Sequence, residues 1–344
     1  MTWILALLLL VLAALVTLGR RLSAPRYAGP RSDHFDGRRF RNVGGAEARG
    51  FAAVFRWMLG RRRGPWPVAE APPPGPPPPD RVIGDDLRIT FINHTTFLIQ
   101  TEGLNILTDP VWSQRASPFS FAGPRRKRPP GLRFRDLPPI DMVLLSHNHY
   151  DHLDVSTLRR LAYTHRPRIA TPLGVRQFLE EKGISGATDM DWGKVLPVHE
   201  RLRVACVPAQ HFSGRGLFDR DATLWCGYVL LHPRGNIYFA GDTGYGPIFA
   251  PIGEQYGPMR LAILPIGAYK PEWFMSPIHV SPAQAVQIHL DVRAARSIAS
   301  HFGTFQLADD GKTEPAEALR QALRDQNLPE STFIVPEEGR GIDI

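Results

Sequence analysis

Three regimes of apolar patterning divide the chain. Residues 3–18 are apolar except for Thr17 and carry no charge. Over 20–80 the apolar positions thin out among Arg, Gly and Pro, ending in PPPGPPPPD at 72–80. From Arg81 onward short apolar blocks recur between turn signals. Blocks of this length, rich in Val, Ile, Thr and Phe, predict strands: 87–92, 96–101, 104–108, 142–146, 168–171, 201–208, 225–232, 236–240, 261–265 and 296–300. Helical spacing predicts helices over 155–162, with Asp154 as N-cap, and over 174–181, 282–290 and 315–324. Mixed strands and helices over some 260 residues, with no internal repeat, predict an α+β fold. Two sheets are expected to lie between two layers of helices, a four-layer αββα sandwich.

The first regime predicts an anchor. A helix of ~16 residues spans ~24 Å, a little under the ~30 Å hydrocarbon core, and snorkelling of Arg20 and Arg21 closes the gap. The alternative is a cleaved signal peptide, but no Lys or Arg precedes the apolar run and no small-x-small site follows it. Basic residues only on the C-terminal side place the N-terminus outside and the body in the cytoplasm. The chain thus divides into an anchor over 1–19, a basic and proline-rich juxtamembrane segment over 20–80, and a folded domain over 81–344. The 72–80 run reads as a stiff spacer or a strap over the surface.

Charge changes this picture in one respect. The formal net charge of +8 suggests an anionic partner such as nucleic acid or a phospholipid surface. Residues 20–63 carry twelve Arg against three acids, a net +9, so 64–344, with 29 basic and 30 acidic side chains, nets −1. A nucleic-acid enzyme would carry the positive charge on its folded domain. A collar beside an apolar helix fits an anionic membrane instead. A second basic stretch, 115–135, holds seven basic residues and no acid, and is expected to form a lip against lipid headgroups, with Arg115 as a substrate contact. Only two cysteines are present, too few for a disulfide framework or a Cys-rich zinc module.

The chemistry concentrates in Ser146-His147-Asn148-His149-Tyr150-Asp151-His152-Leu153-Asp154, directly after an apolar strand. Three imidazoles and a carboxylate in one loop suit zinc and related divalent ions. In an extended loop i and i+2 point the same way, so His147 and His149 can share one ion while Asp151 and His152 face a second. His211, Asp242 and His301 each follow a predicted strand end and precede a Gly or polar loop, the setting in which ligands gather at one edge of a rigid sheet.

This HxHxDH pattern with its spaced His, Asp and His resembles the metallo-β-lactamase fold superfamily. Longer stretches are similar to its N-acylphosphatidylethanolamine-hydrolysing phospholipase D family: Thr108-Asp109-Pro110-Val111-Trp112-Ser113, Gly123-Pro124-Arg125-Arg126, Phe239-Ala240-Gly241-Asp242-Thr243-Gly244 and Ile263-Leu264-Pro265-Ile266-Gly267-Ala268-Tyr269. The likeness covers about 81–310, and Asp33-His34-Phe35-Asp36-Gly37 is similar to a leader segment of bacterial members. The resemblance implies two zinc ions, with iron or manganese as alternatives since no Cys enforces the choice. His147, His149 and His211 would hold one, and Asp151, His152 and His301 the other. Asp242 would bridge them. It implies a membrane-associated phosphodiesterase that cleaves N-acylphosphatidylethanolamine to N-acylethanolamine and phosphatidic acid by a metal-bridged hydroxide, with Asp151 and Asp242 at the catalytic centre and His279 on the substrate phosphate. His94 and Asp154 are expected to orient ligands from behind, although Asp154 also suits a helix cap. The same scaffold serves lactones, thioesters and other phosphodiesters, and a purely structural metal is the non-catalytic alternative. Nothing in the sequence sets an oligomeric state.

Overall fold

The computed structural model describes residues 2–67 and 73–344. Met1 and 68–72, and with them the first proline of the 72–80 run, lie outside the described residues.

Two seven-stranded sheets stack face to face. The first runs in the order β14 (Gly341–Asp343), β1 (Arg88–Asn93), β2 (Thr96–Thr101), β3 (Leu104–Thr108), β4 (Met142–Leu144), β5 (Arg168–Pro172), β6 (Ala187–Met190). The second runs β13 (Phe333–Ile334), β12 (Ser297–Ser300), β11 (Met259–Pro265), β10 (Asn236–Phe239), β9 (Gly227–Leu231), β8 (Arg203–Val207), β7 (Val195–Pro197). Each sheet is antiparallel in one half and parallel in the other: β3 to β6 and β10 to β13 run parallel within their sheets.

Period-two side chains build the layers. Phe91, Phe97 and Ile99 point into the core between the sheets with Tyr228, Tyr238 and Phe239. Their neighbours Ile92 and Leu98 point the other way, where Leu158 and Leu161 of α3 (Val155–Thr164) and Phe178 and Leu179 of α4 (Val175–Glu181) cover them. On the far side Val286 and Ile288 of α6 (Pro282–Asp291) and Leu319 and Leu323 of α7 (Glu314–Asp325) complete the fourth layer. Covered on both faces, β2 is buried at every position. The expected αββα sandwich is therefore present.

Several elements escaped the sequence pattern for local reasons. The strands β6 and β7 are short, part-exposed edge pieces with polar residues. Helix α5 (Phe249–Tyr256) contains Pro251 and Gly253, which read as turn signals.

The N-terminal regimes divide differently from the apolar pattern. Helix α1 (Thr2–Leu22) stands exposed, and among the described residues it is the one helix long and apolar enough to cross a membrane. The basic stretch after it packs onto the sandwich. The Tyr27 and Phe40 amides donate to the carbonyls of Ala222 and Asp221 at 3.0 and 2.9 Å, and Phe35 and Phe40 are buried against Trp225. A nine-residue helix, α2 (Phe51–Leu59), follows. Its Trp57 stacks on Phe274, centroids 4.9 Å apart, and donates to Asp309 at 2.9 Å. The described part of the proline run is a strap: Gly75 N–H donates to Gly131 O at 2.8 Å, and the Gln100 and Asn105 side chains hold the carbonyls of Pro79 and Asp80.

Candidate metal centre

Loops at one edge of the sandwich bring the donors together. The 147–152 loop leaves β4, His211 lies beyond β8, Asp242 beyond β10 and His301 beyond β12. His149 Nδ1 lies 2.8 Å from His147 Nε2 and 3.3 Å from His211 Nε2, a three-imidazole group. Asp242 Oδ2 lies 3.1 Å from both His152 Nε2 and His301 Nε2, and Asp151 Oδ2 lies 3.3 and 3.5 Å from the same two nitrogens. Asp242 Oδ2 is also 3.8 Å from His211 Nε2, so its carboxylate stands between the two groups. The backbone must come very close to allow this. A Cβ on Gly267 would sit 2.2 Å from the His301 carbonyl oxygen, and Gly241, with φ +62°, would put one 2.6 Å from Ser146 Cβ.

The remote ring nitrogens set the tautomers. His211 Nδ1 meets the Ile278 carbonyl at 2.9 Å, an acceptor only, so that nitrogen carries the proton and Nε2 turns its lone pair to the centre. His152 Nδ1 likewise donates to Asp109 Oδ2 at 2.7 Å. Asp109 in turn accepts from Ser146 N–H at 2.7 Å and Ser146 Oγ at 2.6 Å. His94 donates to Asp151 Oδ2 at 3.0 Å, and its carbonyl accepts the His301 N–H at 2.7 Å.

This donor set fits divalent cations. His147 Nε2 and His211 Nε2 both face His149 Nδ1, which either donates a proton to them or, with its own lone pair turned inward, shares a cation with them. Among the described residues, buried His152 Nε2, His301 Nε2 and Asp242 Oδ1 have no hydrogen-bond partner. Electrostatics agree. Burial pushes His147 well below the usual imidazole range, and His149 and His211 to about 3, favouring neutral rings. Burial also opposes charge on His152 and His301, but Asp242 and Asp151 outweigh it, pulling His152 well up and His301 to about 9. Burial likewise raises the Asp151 and Asp242 carboxyls, yet the facing imidazoles overcome it and hold both well below the carboxylate range. Positive charge is needed between these carboxylates whether protons or metal ions supply it.

A cavity of about 300 Å³ opens onto His149, Asp151 and Asp242. Its apolar wall includes Val54 and Trp57 of α2 with Phe274, Met275 and Leu307, and Arg49 and Arg220 stand in the same wall. His279 also lines it, with Nδ1 3.9 Å from Asp242 Oδ2 and unpartnered.

Two expectations are corrected. Asp154 orients no histidine. Its carboxylate caps α3 at Ser156 N and Thr157 N and accepts from Trp112 N, Ser113 N and Ser113 Oγ. Arg115 does not line the cavity. Its guanidinium closes its own loop on the carbonyls of Ser120 and Gly123 at 2.9 and 2.6 Å. Elsewhere in 115–135, Arg126 is buried on the Val111 and Ser113 carbonyls and Arg128 pairs with Glu338, while Arg125, Lys127, Arg133 and Arg135 are exposed. Sequence reasoning missed Asp109, Asn42, Arg49 and Arg220. Asp109 had a signal, since it follows a strand end as the clustered donors do. The other three lie where no apolar period marks structure.

Asn42 holds His211 by both ends of its peptide. Its Oδ1 accepts from His211 N at 2.9 Å and from Trp225 Nε1 at 2.8 Å, while its Nδ2 donates to His211 O at 2.8 Å. Asn42→Ala should weaken metal affinity about tenfold, the low end for outer partners of a ligand, at a stability cost of about 1 kcal/mol. Titration against a competing chelator measures it, and unchanged affinity would show that His211 needs no such clamp.

The Beta-lactamase superfamily domain model matches residues 104–302. Over 263 residues the chain is 38% identical to N-acyl-phosphatidylethanolamine-hydrolyzing phospholipase D 1 of Caenorhabditis elegans, covering 73% of this chain and 74% of that one. It is 35% identical over 233 residues to the mitochondrial N-acyl-phosphatidylethanolamine-hydrolyzing phospholipase D of Saccharomyces cerevisiae, covering 66% of this chain and 49% of that one. In fold it is similar to a metallo hydrolase of Ignicoccus hospitalis, with TM-score 0.58 and 21% identity over 75% of this chain and 98% of the other. With a donor cluster suited to divalent cations at the expected sheet edge, the chain belongs to the β-lactamase superfamily, in the family of the N-acyl-phosphatidylethanolamine-hydrolysing phospholipases D, and is a hydrolase of the metallo-β-lactamase fold.

Proposed function

We propose that the chain is a membrane-associated, binuclear zinc phosphodiesterase that hydrolyses N-acylphosphatidylethanolamine to N-acylethanolamine and phosphatidic acid. One observation carries this reading: a seven-donor cluster opens into a cavity whose wall combines apolar side chains with two arginines. His147, His149 and His211 would hold one ion and Asp151, His152 and His301 the other, with Asp242 between them. When bound, such a pair supplies a Lewis acid for a phosphoryl oxygen and lowers the pKa of a water.

The protein's own residues do the rest. Arg49 and Arg220 meet the charge of the phosphodiester. Val54, Trp57, Phe274, Met275 and Leu307 shed water around the acyl-bearing part. His279 hydrogen-bonds the phosphate or the departing alcohol. The bond that breaks joins phosphorus to the N-acylethanolamine oxygen, water supplies the new P–O bond, and the alcohol leaves with a proton. Imidazole and carboxylate donors without a thiolate admit iron or manganese as well as zinc. Helix α1 is the anchor, with the catalytic body on the cytoplasmic side where the basic residues lie.

Purified full-length protein should contain about two divalent ions per chain. Offered N-acylphosphatidylethanolamine in vesicles, a water-soluble aryl phosphodiester and a lactone, it should release phosphatidic acid and N-acylethanolamine from the first. Turnover of the lactone alone would overturn the proposal.

A further inference from the structure

Helix α2 is apolar on two sides. Ala53, Val54 and Trp57 face the body beside Phe274 and Met275. Phe51, Phe55, Met58 and Leu59, spaced i, i+4, i+7 and i+8, form a second stripe that points outward, 88%, 65%, 63% and 75% exposed. No acid occurs over 48–67, which carries five arginines. Arg56 lies over the Trp273 ring at 5.0 Å on the border of the stripe, and Arg62 and Arg63 are exposed just beyond it. Four large apolar side chains in contiguous exposure mark a contact surface rather than ordinary solvent-facing residues.

Its position indicates what it contacts. A groove of about 710 Å³ is lined by Arg49, Phe51 and Val54 on the α2 side, by Gly216 and Leu217 opposite, and by His211 and Phe212 at its inner end. Gly216 and Leu217 pack against Gly19 at the base of α1, and Phe218 N–H donates to Ser23 Oγ at 3.1 Å. The base of the apolar helix, the exposed stripe of α2 and the metal centre therefore border one groove.

We propose that α2 is a second, in-plane membrane contact: its Phe51–Phe55–Met58–Leu59 stripe enters an anionic phospholipid bilayer beside α1, so that the groove opens onto lipid and leads to the metal centre. The proposal rests on the reading of the chain as a membrane-associated lipid hydrolase, and it adds α2 to the surface expected to face the membrane. Apolar side chains enter the acyl boundary while Arg56, Arg62 and Arg63 remain among the headgroup phosphates.

The test places a nitroxide at residue 55 (Phe55→Cys) or, as a control, at residue 163 (Tyr163→Cys, exposed at the far end of α3) in the full chain. Both native cysteines, Cys206 and Cys226, are buried. In vesicles of phosphatidylcholine and phosphatidylglycerol, the label at 55 should relax with oxygen and be shielded from an aqueous nickel chelate, and the label at 163 the reverse. Equal nickel access at both positions would overturn the proposal. So would exclusion of both reagents from position 55, the mark of a second copy or another protein on the stripe. A kinetic arm uses Phe55→Ser/Met58→Ser/Leu59→Ser, three exposed positions outside the groove lining. It should slow hydrolysis of N-acylphosphatidylethanolamine in vesicles about tenfold and leave a soluble phosphodiester unaffected, and an equal loss on both substrates would also count against it. The label readout needs no turnover, so it fails only with the docking, whereas a parent chain inert toward the lipid fails the functional reading alone.

Discussion

Asp242→Asn protein is expected to keep its fold and lose hydrolysis by about a thousandfold or more, the scale on which charge stabilisation in an active site is felt. Asn has the shape of Asp, and the site is rigid, with Gly241 fixed against Ser146. What changes is charge and donor sense. Asp242 Oδ2 faces His152, His301, His211 and His279 within 3.9 Å, while Oδ1 has no partner among the described residues. An amide there removes a negative charge shared by both donor groups, and one end becomes a donor pointing at ring lone pairs. Metal content should fall from about two ions toward one, and added zinc should not restore the rate. Full metal content with an unchanged kcat would remove Asp242 from the bridging role. Asp151→Asn should act mainly on one group, since Asp151 has His152, His301 and His94 within 3.5 Å and reaches His149 of the other group through its charge alone.

How much of this was legible in sequence depends on how a residue signals itself. Buried strands do so through period and composition, and β2 and β3 lie over the predicted residues to the letter. The donors were legible because several imidazoles in one loop have few other uses, and because His211, Asp242 and His301 each follow a strand. Fold position stood in for contact there. Arg115 and Asp154 show where that substitution fails: a charge in a loop near the centre has a plausible partner there, but nearer carbonyls and amides claimed both. Asp154 had the better competing use, two helix amides and the start of the 112–113 turn. Residues 20–67 fail in the opposite sense. Most of their Arg-rich composition carries no period, and the nine residues of α2 are apolar at all but Arg56 and so short that their helical spacing does not stand out, so neither α2 nor the place of Asn42, Arg49 and Trp57 at the centre could be read. Their order comes from docking onto a body already built, through Phe35 and Phe40 on Trp225 and Trp57 on Phe274, and such order is written in the partner as much as in the segment.

Asp109 tests whether orientation alone controls the centre. It is fully buried, its φ is +33°, and its N–H is held by the Leu144 carbonyl, so the side chain has little freedom. All three side-chain contacts use it as an acceptor: from Ser146 N–H, Ser146 Oγ and His152 Nδ1. In Asp109→Asn the oxygen must stay on Ser146 N–H, which cannot accept, so the amide nitrogen faces Ser146 Oγ and His152. His152 Nδ1 then has to accept, its proton moves to Nε2, and the lone pair aimed at Asp151 and Asp242 is lost. The rings of His149 and His211 do not touch this network, and His147 Nδ1 meets it only through Ser146 Oγ at 2.9 Å. Metal affinity should therefore fall about 10- to 100-fold for the ion held by His152 and less for the other, resolving one binding step into two in a chelator titration. The rate should recover at high metal concentration, because every ligand is still present. A single uniform weakening, or a loss that metal cannot restore, would mean that Asp109 serves the packing of the β4 loop rather than the tautomer of His152.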